Sequence, residues 1–236
     1  VGSEMCIRDS YYITGTSAII LRGLSWNYVI PNNALLAIDP LEKNKAIKFL
    51  RIYRESVLYQ NGFRIGVIFK KVKDCEYTYE EVGDSAIPIA SIKQAIVDSL
   101  VNFKAIGVDL IEVLSIFIGI LLPKIFEEKN YRFISDIIKM AQKQYNDTCL
   151  ISAFLRNILM RFYLYFEEPE AIELYKLVPK CEYQLSKEMS KKVYEAFRLT
   201  ILGNKITFYL GLEPNFSING PDNRFPKDVF AIGGID

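Results

Sequence analysis

Up to about residue 90 the apolar positions of the chain come in short runs. From Ser91 onward they recur every three or four residues. Short runs bounded by Gly, Pro, Asn and Asp predict strands, and the 3.6-residue period predicts helices with one apolar face. NNALLAID reads as a buried strand stopped at Asp39-Pro40, and AIKFLRIYRES and GFRIGVIFKKV, rich in β-branched and aromatic residues, as two more. Asn61-Gly62 marks a turn before the second of these. CEYTYEEV alternates Tyr77 and Tyr79 with Thr78 and Glu80 as a half-exposed strand does, Gly83-Asp84 turns the chain, and AIPIA is a short strand. Ahead of them, TSAIILRGL predicts a short helix capped by Thr16 and closed at Gly23. The first part is therefore expected to be a small, mostly antiparallel sheet with a leading helix.

SIKQAIVDSL opens the second pattern. Ser91 is placed to cap a helix, Gln94 stands three residues on as in a capping box, and Ile92, Ala95, Ile96 and Leu100 share one face. Asp109 and Glu112 repeat the capping logic. YRFISDIIKMAQKQ carries Ile134, Ile137, Ile138 and Ala141 on one side. A longer helix after Asp147 carries Leu150, Ile151, Phe154, Leu155, Ile158 and Leu159. Pro169 starts another, and residues 186–202 form one closed by Gly203. The Gly-, Pro- and Asn-rich tail from Asn204 is expected to be irregular with short strands. The class is α+β, with a sheet region over 11–107, a helical bundle over 108–203 and a tail over 204–236.

Residues 1–10, VGSEMCIRDS, fit neither period. The codons GTG GGC TCG GAG ATG TGT ATA AGA GAC AG encode this string up to Asp9, and AG followed by C or T supplies Ser10. That DNA resembles a transposase-type library adapter read in frame, so this stretch is read as foreign to the fold. On this reading protein of unknown length preceded Tyr11.

Composition narrows the chemistry. Half of the residues are hydrophobic and 24% charged, as in ordinary globular domains. Net charge is +1, or +2 without residues 1–10, which does not indicate a nucleic-acid-binding protein. The chain has no histidine, which removes the commonest general base and metal ligand and every Ser-His or Cys-His triad. Cys75, Cys149 and Cys181, widely spaced, read as buried thiols of a cytoplasmic protein. The uncharged run within residues 113–126 is too short to cross a bilayer and reads as a buried helix, so no membrane partner is expected. No nucleotide, zinc or nucleophile-elbow motif occurs, and no cofactor is expected.

Two constellations could carry function. Asp39 at a strand end with Glu80 and Glu81 would suit a metal-dependent nuclease if the carboxylates converged, although adjacent strand residues face opposite ways. Lys43, Lys45, Lys48, Arg51 and Arg54 cluster, as do Arg64, Lys70, Lys71 and Lys73 on the neighbouring segment. Paired, they would form a phosphate-contacting patch; unpaired, a solvated rim with Glu42 and Glu55 as partners. Any DNA binding through them is expected to be weak, unselective and salt-sensitive.

YYITGTSAIILRGL resembles the segment YY-x-x-x-x-SA-x-x-x-x-GL of the AbiEi-like antitoxins, through Tyr11, Tyr12, Ser17, Ala18, Gly23 and Leu24. IPIASIKQAIVDSL is similar to that family's strand-then-helix segment through Ile89, Ala90, Ser91, Ala95, Ile96, Asp98 and Leu100. The departures are Lys93, where the family has an acidic residue, and LRGL in place of YHGL. Read from the residues alone, Ser91 caps the helix and Asp98 can bond to the sheet or a neighbouring helix. The resemblance implies a transcriptional regulator of type IV, abortive-infection toxin–antitoxin systems. It implies promoter DNA read by an N-terminal winged helix, expected here before Tyr11, and a domain opposing a nucleotidyltransferase-like toxin encoded beside it. A non-catalytic antitoxin fragment is the expectation; a carboxylate-metal nuclease and a plain interaction scaffold are its rivals.

Overall fold

A computed structural model of the chain describes residues 10–24, 32–82, 85–146 and 148–209. It divides into two compact units, Val1–Val113 with Gln142–Asn146, and Leu114–Ala141 with Asp147–Asp236.

The first unit is built on a five-stranded sheet of order β3-β2-β1-β5-β4. Its strands are β1 (Tyr11–Thr14), β2 (Asn33–Ile38), β3 (Arg64–Phe69), β4 (Tyr77–Val82) and β5 (Ser85–Ala90). β1 pairs antiparallel with β2, and β4 with β5, but β2–β3 and β1–β5 are parallel. The sheet is thus mixed rather than mostly antiparallel. The reason lies in AIKFLRIYRES. It is not a strand but most of helix α2 (Lys43–Tyr53), entered through a 3₁₀ turn over Pro40–Glu42. Ala46, Leu50 and Tyr53, three or four residues apart, form its inward face. A parallel β2–β3 pair requires such a crossover, where a hairpin would have made the pair antiparallel. A single turn, α3 (Val57–Gln60), leads into Gly62 and β3.

The leading helix α1 (Gly15–Leu21) follows β1 directly. Its C-terminus is a Schellman motif: Gly23, at φ +78°, donates to Ile20 O, and Leu24 donates to Ile19 O. Thr16 does not cap α1. It lies inside the helix, and its Oγ1 accepts from Asp109 N at 2.8 Å. Tyr12 and Thr14 of β1 share a face with Ala37 and Leu35 of β2, and all four are buried. That face receives α4 (Ile92–Val101) and the 102–108 segment. The latter lies so close that a Cβ on Gly66 would stand 1.9 Å from Ile106 O.

Ser91 caps α4 as expected, its Oγ accepting from Gln94 N at 3.2 Å. The reciprocal half of the box is not made, because the Gln94 side chain turns inward. Asp109 caps α5 (Leu110–Ile116), its Oδ1 accepting from Ile111 N and Glu112 N.

In the second unit the apolar run over 113–126 forms the end of α5, a π-helical turn (Phe117–Leu121) and α6 (Leu122–Glu127), and is largely buried. α7 (Arg132–Tyr145) buries Ile134, Ile137, Met140 and Ala141; its last residues belong to the first unit. α8 (Cys149–Phe166) is long and apolar enough to cross a membrane, but 61% of it is buried, as in a core helix. Its expected cap, Asp147, lies outside the described residues. Phe126, Phe162, Phe166, Tyr165 and Phe197 make a chain of ring contacts in this core. α9 (Pro169–Leu177) starts at its proline, and Arg156 of α8 donates to Tyr175 O and Val178 O at its end. α10 (Lys187–Tyr209) is capped by Ser186 and runs through Gly203 rather than stopping there. Of the tail expected from Asn204, residues 204–209 are helical, and the rest lies outside the described residues.

Candidate functional site

The densest polar chemistry of the first unit surrounds Asp98. Helical spacing from Ser91 sets Gln94 and Asp98 one turn apart on α4, facing β1 and the end of β3. Asp98 is fully buried, and Lys70, one residue past β3, is 7% exposed. Lys70 Nζ lies 2.6 Å from Asp98 Oδ1. The same oxygen accepts from Tyr145 OH at 2.6 Å and Gln94 Nε2 at 2.9 Å. Oδ2 accepts from Tyr12 OH at 2.9 Å and Thr14 Oγ1 at 2.8 Å. The Lys70 ammonium also donates to Gln144 Oε1 and sits 4.3 Å from the Tyr145 ring centroid. Gln94 and Gln144 exchange amide hydrogen bonds, while Gln144 donates to Asp74 O and Gln94 accepts from Glu76 N.

Both carboxylate oxygens are satisfied by protein groups. Such a pair adds little net stability, but removing one partner costs about 3–5 kcal/mol, because the other charge is left buried and alone. Burial first, and the Asp98 charge second, push the Tyr12 and Tyr145 phenols far above their ordinary range. Cys75 lies in the same electrostatic neighbourhood, and burial pushes its thiol up, away from the reactive thiolate. The polar groups named here engage one another, and through them β1, α4, the end of β3 and the end of α7 are joined.

Of the positions that carry the resemblance, Tyr12 and Asp98 form part of this joint, and the others serve elsewhere in the first unit. Ile13 and Ile89 are partners across the parallel β1–β5 pair. Tyr12 and Asp98 bond directly. Arg22, in the position where LRGL departs from the family, donates to Ala90 O and Ile89 O and pairs with Glu80. Ser17 Oγ donates to Asn33 O, Ala18 is buried against its neighbours, Gly23 ends α1, and Leu100 is in the core. Tyr11 is half-buried on the opposite face of β1.

The basic residues do not form one sheet-borne patch. Lys43, Lys45, Lys48 and Arg51 lie on helix α2 and Arg54 at its C-cap, all exposed. Arg64 donates to Tyr59 O and Phe63 O and lies 4.2 Å over the Tyr59 ring. Lys70 is withdrawn into the core. Lys71 and Lys73 are exposed around the 3₁₀ turn Val72–Asp74, whose Asp74 pairs with Lys143 at 3.4 Å.

The nuclease carboxylates are also separated. Asp39 caps the turn after β2, accepting from Leu41 N and Val72 N. Glu80 lies on β4, with β1 and β5 in between, and Glu81 faces the other side of that strand. Among the described residues, no group of three or more Cys, Asp or Glu is placed to hold a metal ion. The thiols are not the buried set expected: Cys149 is exposed, and Cys75 and Cys181 are half-buried.

The sequence led to the expectation that Asp98 bonds to the sheet or a neighbouring helix, and it bonds to both, through Tyr12 and Thr14 of β1 and Tyr145 of α7. Sequence reasoning missed Lys70, Gln94, Gln144 and Tyr145 as its partners; the one signal was a lysine ending the apolar run GVIFK. No family model, curated protein or solved structure matches the chain.

Proposed function

We propose that this chain is the toxin-opposing domain of an AbiEi-like regulator, acting against a nucleotidyltransferase-like protein encoded beside it in a bacterial cytoplasm. One observation carries the reading. The two stretches that resemble the family, separated by about sixty residues in the sequence, meet through the matched pair Tyr12 and Asp98, which bond directly, and run side by side in the parallel β1–β5 pair. That two separately matched stretches share one buried joint supports a common scaffold for them. In this reading the domain is non-catalytic, and promoter DNA belongs to a separate winged helix.

Co-expression tests it. The adjacent nucleotidyltransferase-like gene is induced in a host that it arrests, with and without the full-length protein. Restored growth is expected, with the present chain giving the same rescue or a weaker one. Continued arrest with the full-length protein well expressed overturns the proposal.

A further inference from the structure

Helix α2 and its C-cap carry Lys45, Lys48, Arg51 and Arg54 at every third position. Successive members step about 60° round the helix and about 4.5 Å along it, making an oblique row about 14 Å long. Lys45 pairs with Glu42 at 2.7 Å. Lys48, Arg51 and Arg54 make no ion pair among the described residues, and Glu55 is the only acidic side chain from Lys43 to Arg64.

Exposed apolar side chains accompany the row: Ile47, Phe49 and Ile52 on α2 itself, with Val57 and Leu58 just beyond. Their placement decides what the face fits. On the helical wheel Arg51 and Lys48 occupy the middle of the exposed arc, and Ile47 and Ile52 flank them. A membrane-seated helix has the reverse order, with the apolar stripe central and the cations at its margins. A second copy of this face would set cations against cations. A line of negative charges meets the row without either conflict.

Cβ atoms at i and i+3 are about 5–6 Å apart, a spacing that flexible Lys and Arg side chains can extend to successive phosphates of one strand. An aromatic series adjoins the row. Phe49, 47% exposed, stacks on Tyr53 at 6.1 Å, and Tyr53 meets Tyr59 edge-on. Cations tracking a backbone beside an exposed ring are the elements of unselective single-strand binding.

We infer that the α2 face binds single-stranded nucleic acid, with Lys45, Lys48, Arg51 and Arg54 on consecutive phosphates and Phe49 offering a surface on which a base stacks. This site is independent of the proposed toxin opposition. Through it a chain of nearly neutral net charge would bind a strand weakly and without sequence preference.

The test is fluorescence anisotropy of labelled oligothymidylate and oligouridylate, about 20 residues each, titrated with the full chain at about 50 mM salt. Both are expected to bind, with affinity falling by about 20- to 50-fold by about 200 mM salt, as three to four single-strand phosphate contacts require. Lys48→Gln with Arg51→Gln should weaken binding at least tenfold and reduce the salt slope by about 1.4. These side chains are exposed, so unchanged circular dichroism is expected to accompany the loss. Lys187→Gln with Lys191→Gln removes the same charge from α10 and should change nothing. The inference is overturned if neither oligonucleotide binds at low salt, if the α10 variant loses as much as the α2 variant, or if a polyglutamate peptide of equal length binds the α2 face more tightly than the oligonucleotides do.

Discussion

Tyr12 and Tyr145 direct their phenols at the two oxygens of one buried carboxylate. Ionising either would set a second negative charge against the buried Asp98. Their folded-state pKa values therefore lie above the unfolded value of about 10. Below pH 10 both states hold the protons, and the associated stability is fully present. Above it the unfolded chain releases protons that the folded chain keeps, so stability falls by about 1.4 kcal/mol per pH unit for each such tyrosine. Tyr165, raised chiefly by burial, acts in the same direction. In an alkaline titration, phenolate absorbance from exposed tyrosines should rise smoothly near pH 10. A further rise should arrive only with cooperative loss of the circular dichroism signal. Tyr145→Phe should make the alkaline loss of stability shallower. Smooth ionisation of every tyrosine in a still-folded protein would show that the joint around Asp98 is wet.

Elements were legible where their signals are local. Gly23 after an apolar run, Ser91 before one and Asp109 before the next each mark a helix end, and each does so in the structure. α2 was misread because Ile47, Phe49 and Ile52 are exposed on a helix. Their β-branched and aromatic character, which normally signals a pleated surface, here reports an outer face. The seating of the 102–108 segment on β2 and β3 was not legible at all, since Gly66 lies against Ile106 about forty residues on, and Gly107 against Ala34 and Leu35 about seventy residues back. These two kinds of position predict different costs. Ser91→Ala loses a cap and should lower stability by about 1 kcal/mol. Gly66→Ala forces a Cβ into the Ile106 carbonyl and should cost about 3 kcal/mol. Urea melts measure both. A Gly66→Ala cost no larger than that of Ser91→Ala would mean that the loop does not lie against the sheet.

At the scale of the molecule, α+β organisation was readable because the period of the apolar pattern changes once, near Ser91. The parallel pairings were not, since pairing partners leave no trace in either segment. Strand order bears on where the candidate nuclease carboxylates lie. Had the sheet been a simple meander, the end of β2 and the carboxylates of β4 could have approached one another. In the order β3-β2-β1-β5-β4 two whole strands, about 14 Å at ordinary interstrand spacing, lie between them. Asp39 is engaged with Leu41 N and Val72 N, and Glu80 with Arg22, so each is held in place by its own neighbours. The purified chain is therefore expected to leave labelled single- and double-stranded DNA and RNA intact with magnesium or manganese. It should do so even where the α2 row binds the strand, since that row lies on a helix and brings no pair of carboxylates to the bound strand. Asp39→Asn should affect only stability, through the 3₁₀ turn that it caps. Metal-dependent cutting abolished by that substitution would require Asp39 to reach a partner that this strand order keeps away. The nuclease reading would then replace the antitoxin one.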